Sequence, residues 1–326
     1  MFLCIATWGR RIGGVALTVA ALCLVGVSAA AAQTLSVVAT TSMIADAARQ
    51  VGGDRVTVTA LMGPGVDPHS YRQTRSDIVA MTQADLVLWH GLYLEAQLEE
   101  FMLELTRRMP VVAVGEAVPM DDRLAHDTYE NRFDPHVWMD PNLWPHVVEA
   151  VRDALTEADA EGADIYAANA AAHLAEIEDL ADYGREVLAS VPPEHRVLVT
   201  AHDAFRYFGR AYGFEVLGIQ GISTESEAGL RRIEELVDTL VGRNVGAVFI
   251  ESSVSDRNIR ALIEGAEAEG HQVTVGAELF SDAMGEPGTY EGTYIGMIDH
   301  NITAIARALG GTAPADGMQG RLASGT

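Results

Sequence analysis

The chain has almost no cysteine and no lysine at all. Cys4 and Cys23, its two cysteines, both fall within the first 32 residues. Everything after them therefore lacks a thiol for disulfide pairing, for nucleophilic attack or for holding a metal. All 22 basic side chains are arginine, set against 46 Asp and Glu, for a formal net charge of −24. Such a surface repels phosphate backbones and anionic lipid, so no nucleic-acid partner is expected. A solvated acidic surface suited to a salty medium accounts for this balance better than a specific cation site does. Long uncharged runs are scarce too. The run from Ile12 to Val27 follows Arg10-Arg11 and precedes "SAAAAQ", the order of a secretory leader. It is shorter than the about 20 apolar residues that span a bilayer. Residues 1–32 are expected to be a signal peptide cleaved near Ala32, leaving a soluble, exported chain, periplasmic where an outer membrane exists. Losing Arg10 and Arg11 would move the net charge from −24 to −26. "AALC" lacks the small residue usual before a lipidated cysteine. Also missing are HExxH and G-x-S-x-G, two common marks of a metalloprotease or serine hydrolase.

What is present is alternation. "TLSVVATTSMIADAARQVGG" passes from a β-branched run into a helical face of Met43, Ile44, Ala47, Ala48 and Val51, ended by Gly52-Gly53. "RVTVTALM", Leu86 to Trp89 and "MPVVAVGE" read as further strands, and a helix is expected to start near Asp140-Pro141. The longest helical pattern runs from Asp164 to Val191 and is stopped by Pro192-Pro193. Alternation then restarts with "HRVLVTAHDAF", "EVLGIQG", "VGAVFIESS" and "HQVTVG". The pattern predicts an α/β protein of two lobes, each a central parallel sheet flanked by helices, joined by one long rigid helix. The expected domains are 33–163, the connecting helix 164–193 and 194–311, with 312–326 a disordered tail.

Two short stretches share a tripeptide: "GVDPHSYRQT" and "FDPHVWMDP" both contain Asp-Pro-His, ending at His69 and His136. In open α/β sheets ligands bind beyond the carboxyl ends of strands. His69, His136, His202 in "TAHDAF" and Asp282 in "AELFSDAMG" all fall at such places, two from each lobe. Three imidazoles and one carboxylate suit a divalent transition metal, and the lack of thiolates argues against a structural zinc. His90, in "LVLWHGLYLE", is the strongest competing histidine. His126 reads as exposed, while His146, His173 and His300 read as helical residues. His195 and His271 open strands at the opposite sheet end. Glu251 could orient a ligand imidazole or cap a turn, and Trp138 could shield the site or simply pack.

These stretches, together with "STESEAG", "VFIESSVS" and "GTYEGTYIGMIDHNI", resemble the TroA/ZnuA-type substrate-binding proteins of metal ABC transporters, cluster A-I (cluster 9). The resemblance spans about residues 35 to 310. It implies a metal site of His69, His136, His202 and Asp282, and capture of Zn²⁺ or Mn²⁺, with Fe²⁺ the weaker candidate. It further implies delivery to a cognate permease and its ATPase in the inner membrane, without catalysis. The stretch from Asp121 to Phe133 is short and holds only His126, unlike the histidine-rich loop of many zinc-dedicated members. The third position is histidine, unlike the glutamate of many manganese-dedicated ones. A monomer is expected, with affinity falling as pH drops through the histidine range near 6.5. The alternatives are an exported metal-dependent hydrolase, or a surface adhesin with a structural metal.

Overall fold

The computed structural model describes residues 34–126 and 129–323, so the expected leader and the last three residues lie outside it. The first lobe begins with β1 (Leu35–Ala39), α1 (Ser42–Gly52), β2 (Val56–Ala60), α2 (Arg75–Gln83), β3 (Leu86–Trp89), α3 (Glu99–Leu105) and β4 (Val111–Ala113). The four strands pair in parallel in the order β2-β1-β3-β4. β3, "LVLW", is buried along its whole length because helices cover both faces of this sheet, whereas the edge strand β2 alternates in exposure. Thr41 caps α1 by accepting from Ile44 N, and Thr74 with Asp77 forms a capping box on α2.

α4 (Trp144–Ala158) follows, and then α5 (Ala163–Ala189), whose 27 residues make a rod of about 40 Å. α5 packs on α1 and α4 and also on α9 (Tyr294–Ala308), which ties the two lobes to one strut. The second lobe contributes β5 (Val197–Thr200), α6 (Arg206–Tyr212), β6 (Glu215–Gly218), α7 (Leu230–Gly242), β7 (Ala247–Glu251), α8 (Arg257–Ala268) and β8 (Thr274–Leu279). β5 pairs with β6 and β7 with β8, both in parallel, and β5 packs beside β7. One hydrophobic core runs through both lobes, from Val37 and Trp138 to Phe205, Phe249 and Ile298, with Trp144 stacked on Tyr294 at 5.0 Å. Full burial of a large apolar side chain contributes about 1.5–3 kcal/mol, so this shared core resists wide separation of the lobes. No helix among the described residues is long and apolar enough to cross a membrane.

Three expectations are corrected. The helix expected from Asp140 starts at Trp144, because the Asp140 carboxylate accepts from the backbone and side-chain nitrogens of Asn142 and holds a turn instead. The strand expected through "MPVVAVGE" ends at Ala113. Gly115 N there donates to His90 O, and a Cβ on Gly115 would lie 2.6 Å from that oxygen. The tail expected to be disordered from 312 is packed through residue 323. Met318 N donates to the buried Asp299 carboxylate, Leu322 is buried, and Arg321 lies over the Tyr290 ring. A small-residue composition hid these anchors.

Candidate metal centre

The two Asp-Pro-His turns have a common local cause. In each, the aspartate carboxylate accepts from the backbone N–H of the histidine two residues on, Asp67 to His69 at 2.9 Å and Asp134 to His136 at 3.0 Å. Proline between them has no N–H to compete and a fixed φ, so the turn has little freedom. The backbone at each histidine is thus fixed by a contact within its own turn. His202 is placed by the end of β5, where its N–H donates to Glu251 at 2.9 Å. Close approach of β6 is needed as well, since a Cβ on Gly218 would meet Asp203 N at 2.6 Å. Asp282 follows β8, in a loop held by Trp138 Nε1 donating to Ser281 O at 2.8 Å.

These four residues converge. One donor atom from each of His69, His136, His202 and Asp282 lies within 4.8 Å of every other, and all four side chains are buried. His69 Nε2 is 3.3 Å from His136 Nε2, His136 Nε2 is 3.4 Å from Asp282 Oδ1, and His202 Nε2 is 3.2 Å from Asp282 Oδ2. A tetrahedron of donors at 2.0–2.1 Å from an ion has edges of roughly 3.3–3.4 Å, so these separations suit one central cation. Both carboxylate oxygens face imidazoles, which makes five donor atoms available. His202 Nε2 and Asp282 Oδ1 are buried and form no aligned hydrogen bond. Two buried lone-pair acceptors facing one space, the neutral imidazole nitrogen and the carboxylate oxygen, are costly unless a cation or a proton completes them.

The far nitrogens of two imidazoles are gripped by carboxylates. His136 Nδ1 is 2.7 Å from Asp134 Oδ1, and His202 Nδ1 is 2.5 Å from Glu251 Oε2. Such partners hold the proton on Nδ1, so that Nε2 is the nitrogen turned toward a metal. Burial pushes His136 down, but Asp134 and Asp282 outweigh it and raise the imidazole to about 9. His202 is likewise opposed by burial and raised well above the ordinary range by Asp282 and Glu251. Burial lowers His69 to about 3. For Asp282 burial acts upward, yet His202 and His136 hold its carboxyl well below the usual range.

His90, the competing histidine, stands one layer behind: its Nε2 donates to Pro135 O at 2.7 Å and its ring packs edge-on to Trp138. Burial lowers it to about 3, so it braces the second Asp-Pro-His turn as a neutral donor. Trp138 is fully buried and 5.2 Å from the His136 ring, where it excludes water. His300, His195 and His271 spend ring nitrogens on backbone carbonyls of Glu278, Leu309 and Val245. Sequence reasoning passed over the grip of Asp134, whose only signal was its place in the tripeptide. It also passed over Ser253, whose hydroxyl is 3.3 Å from Asp282 Oδ2 and had no signal.

Comparison with known proteins gives a consistent picture. The family described as ZnuA, zinc-uptake complex component A, periplasmic, matches residues 37–308. The manganese-binding lipoprotein MntA of Bacillus subtilis (strain 168) is 47% identical over 277 residues, covering 85% of this chain and 90% of that protein. The zinc-binding protein TroA of Treponema pallidum (strain Nichols) is 46% identical over 273 residues, covering 84% and 88%. The solved periplasmic zinc-binding protein TroA from Treponema pallidum superposes with a TM-score of 0.83 at 46% identity, over 85% of this chain and 99% of that one.

Proposed function

The chain belongs to the family of zinc-uptake complex component A, and from that premise we propose that it captures a divalent transition metal between its lobes and delivers it to an ABC-type importer. The observation that carries this reading is the buried group of three imidazole nitrogens and a carboxylate at the spacing of one coordination shell. His69, His136, His202 and Asp282 are the proposed ligands. Asp134 and Glu251 would keep His136 and His202 oriented, and Trp138 and His90 would keep water out. Capture and release need no bond chemistry. The chain would be exported, with its leader cleaved near Ala32, and would dock as a monomer on a permease driven by an ATPase.

The cargo proposed is Zn²⁺ or Mn²⁺. Relatives of nearly equal identity are named for each of these ions. Imidazole suits zinc, while a carboxylate with both oxygens turned inward also serves the harder manganese. Zn²⁺ is expected to displace Mn²⁺ in direct competition, following the general order of divalent affinities. Titration of chelator-stripped protein should show one tight equivalent in the wild type and its loss in His69→Ala. Stoichiometric binding that survives in the variant would overturn the ligand assignment. Asp134→Asn and Glu251→Gln should each weaken binding about 10–100-fold while leaving one equivalent, checked in the same titration.

A further inference from the structure

The lobes meet around the metal centre unequally. On one side, α6 grips the first lobe through four hydrogen bonds, two of them at the inward-facing Tyr207 hydroxyl. Tyr207 Oη accepts from Leu124 N at 2.9 Å and donates to Asp134 O at 3.0 Å, while Arg206 and Arg210 donate to Ala125 O and Asp122 O. Behind the site, Trp138 donates to Ser281 O and Tyr294 Oη to Trp138 O. On the other side the closure is slight. Thr224 Oγ1 donates to Asp67 Oδ2 at 2.6 Å, and nearby the exposed Gln97 donates to Glu225 at 2.7 Å.

Asp67 is not an ordinary partner. Its other oxygen, Oδ1, fixes the backbone N–H of His69, and Oδ2 also accepts from Ser70 Oγ. A hydroxyl of the second lobe thus holds the carboxylate that aims a metal-facing imidazole of the first. The loop that carries Thr224 is itself held, because the largely buried Gln220 amide donates to Thr224 O and Ser226 O. Ile222, Ser223 and Glu225 of this loop line a small cavity of about 10 Å³ beside His69, together with Tyr93, His126 and Tyr129. A cavity of about 260 Å³ lined by Asp67, Thr224, Gln220 and Ser253 brings solvent to the other side of the same bond.

Building on the metal-receptor reading, we propose that Thr224 is a positioning residue that acts through Asp67 and His69 as the latch setting how long the cargo ion stays. When the bond is made, the Asp67 carboxylate is fixed and His69 faces the other donors. When it breaks, only the exposed Gln97–Glu225 contact bridges that side among the described residues. The Asp67 turn and the Thr224 loop can then shift apart slightly, and the small cavity beside His69 opens toward solvent. The α6 side remains joined and serves as the pivot.

The test is metal release. Zinc-loaded protein is mixed with excess EDTA and the dissociation rate is followed by tryptophan fluorescence, with Trp138 beside the site as reporter. Thr224→Val, which keeps the shape and removes the hydroxyl, is expected to release metal about tenfold faster, the size of one hydrogen bond to a charged acceptor. Thr224→Ser, which restores the hydroxyl, should return the rate to wild type, and Thr224→Ala should match the valine variant. Thr239→Val removes a hydroxyl that donates to Glu235 O on the exposed face of α7 and should leave the rate unchanged. With binding intact, a wild-type rate in both Thr224→Val and Thr224→Ala, or a serine variant as fast as the valine one, would overturn the latch alone. A wild-type protein that takes up no metal equivalent would overturn the receptor reading as well.

Discussion

Metal affinity is expected to fall by about four orders of magnitude between pH 7.5 and pH 5.5, with two protons displaced per ion. His136 is raised to about 9 and His202 is raised well above the ordinary range. At neutral pH both Nε2 atoms therefore carry protons that an incoming metal must expel, His136 up to about pH 9. His69, lowered to about 3, is already neutral, and Asp282, held low, is already ionised. Neither adds to the slope in this range. Three ordinary histidines would give an affinity flat above pH 7, falling only near 6.5. Here the carboxylates behind and between the imidazoles extend the decline upward to about pH 9. Competition titrations across pH 5.5 to 9.5 would give the slope. Calorimetry in buffers of different ionisation enthalpy would count the protons. A flat affinity between pH 7 and 8.5 would sink the idea.

The same protons stabilise chelator-stripped protein with the opposite pH dependence. A histidine whose folded pKa is raised binds its proton more tightly when folded. Its contribution is fully present below the unfolded value near 6.5 and is lost as pH rises through the folded value. For His136, raised from 6.5 to about 9, that is about 3 kcal/mol. The melting temperature of stripped protein should drop from pH 6.5 to 9, while excess metal, binding more tightly as pH rises, works against the drop. Melting curves at both pH values, with and without metal, decide it.

Replacing Asp282 by asparagine is expected to cost metal binding about 3–5 kcal/mol, since it removes one partner of a buried charged group. That is roughly two to four orders of magnitude in affinity. The change has a second signature. Asp282 is the leading cause that raises His202 and also helps raise His136, so both imidazoles should lose protons at lower pH in Asp282→Asn. The slope of affinity against pH should shrink from two protons towards one or none between pH 7.5 and 9. A variant that loses affinity but keeps a slope of two would mean that Asp134 and Glu251 alone hold those protons. Circular dichroism at each pH would confirm that the variant remains folded.

The sequence by itself determined most of the elements and named the four residues that the fold brings together. Strands such as "LVLW" and "VLVT" are continuous apolar runs because both faces are covered, and that burial makes them legible without a structure. The long helix was legible from its unbroken periodicity and the Pro192-Pro193 stop, to within a few residues of the observed Ala163–Ala189. The two Asp-Pro-His turns announced themselves because their geometry is local: a carboxylate caps an N–H two residues away across a proline. Tertiary structure alone decided the rest. Only folding sets Asp282 between His136 and His202, and only folding places Glu251 behind an imidazole 49 residues away. The ordered tail depends on Asp299 and Tyr290 in distant segments, and no pattern within residues 312–323 shows that anchorage. The Thr224–Asp67 bond spans 157 positions. Neighbours in sequence fix turns and periodicity, whereas proton affinity and the closure of a cleft depend on charges and hydroxyls that meet only once the core has packed.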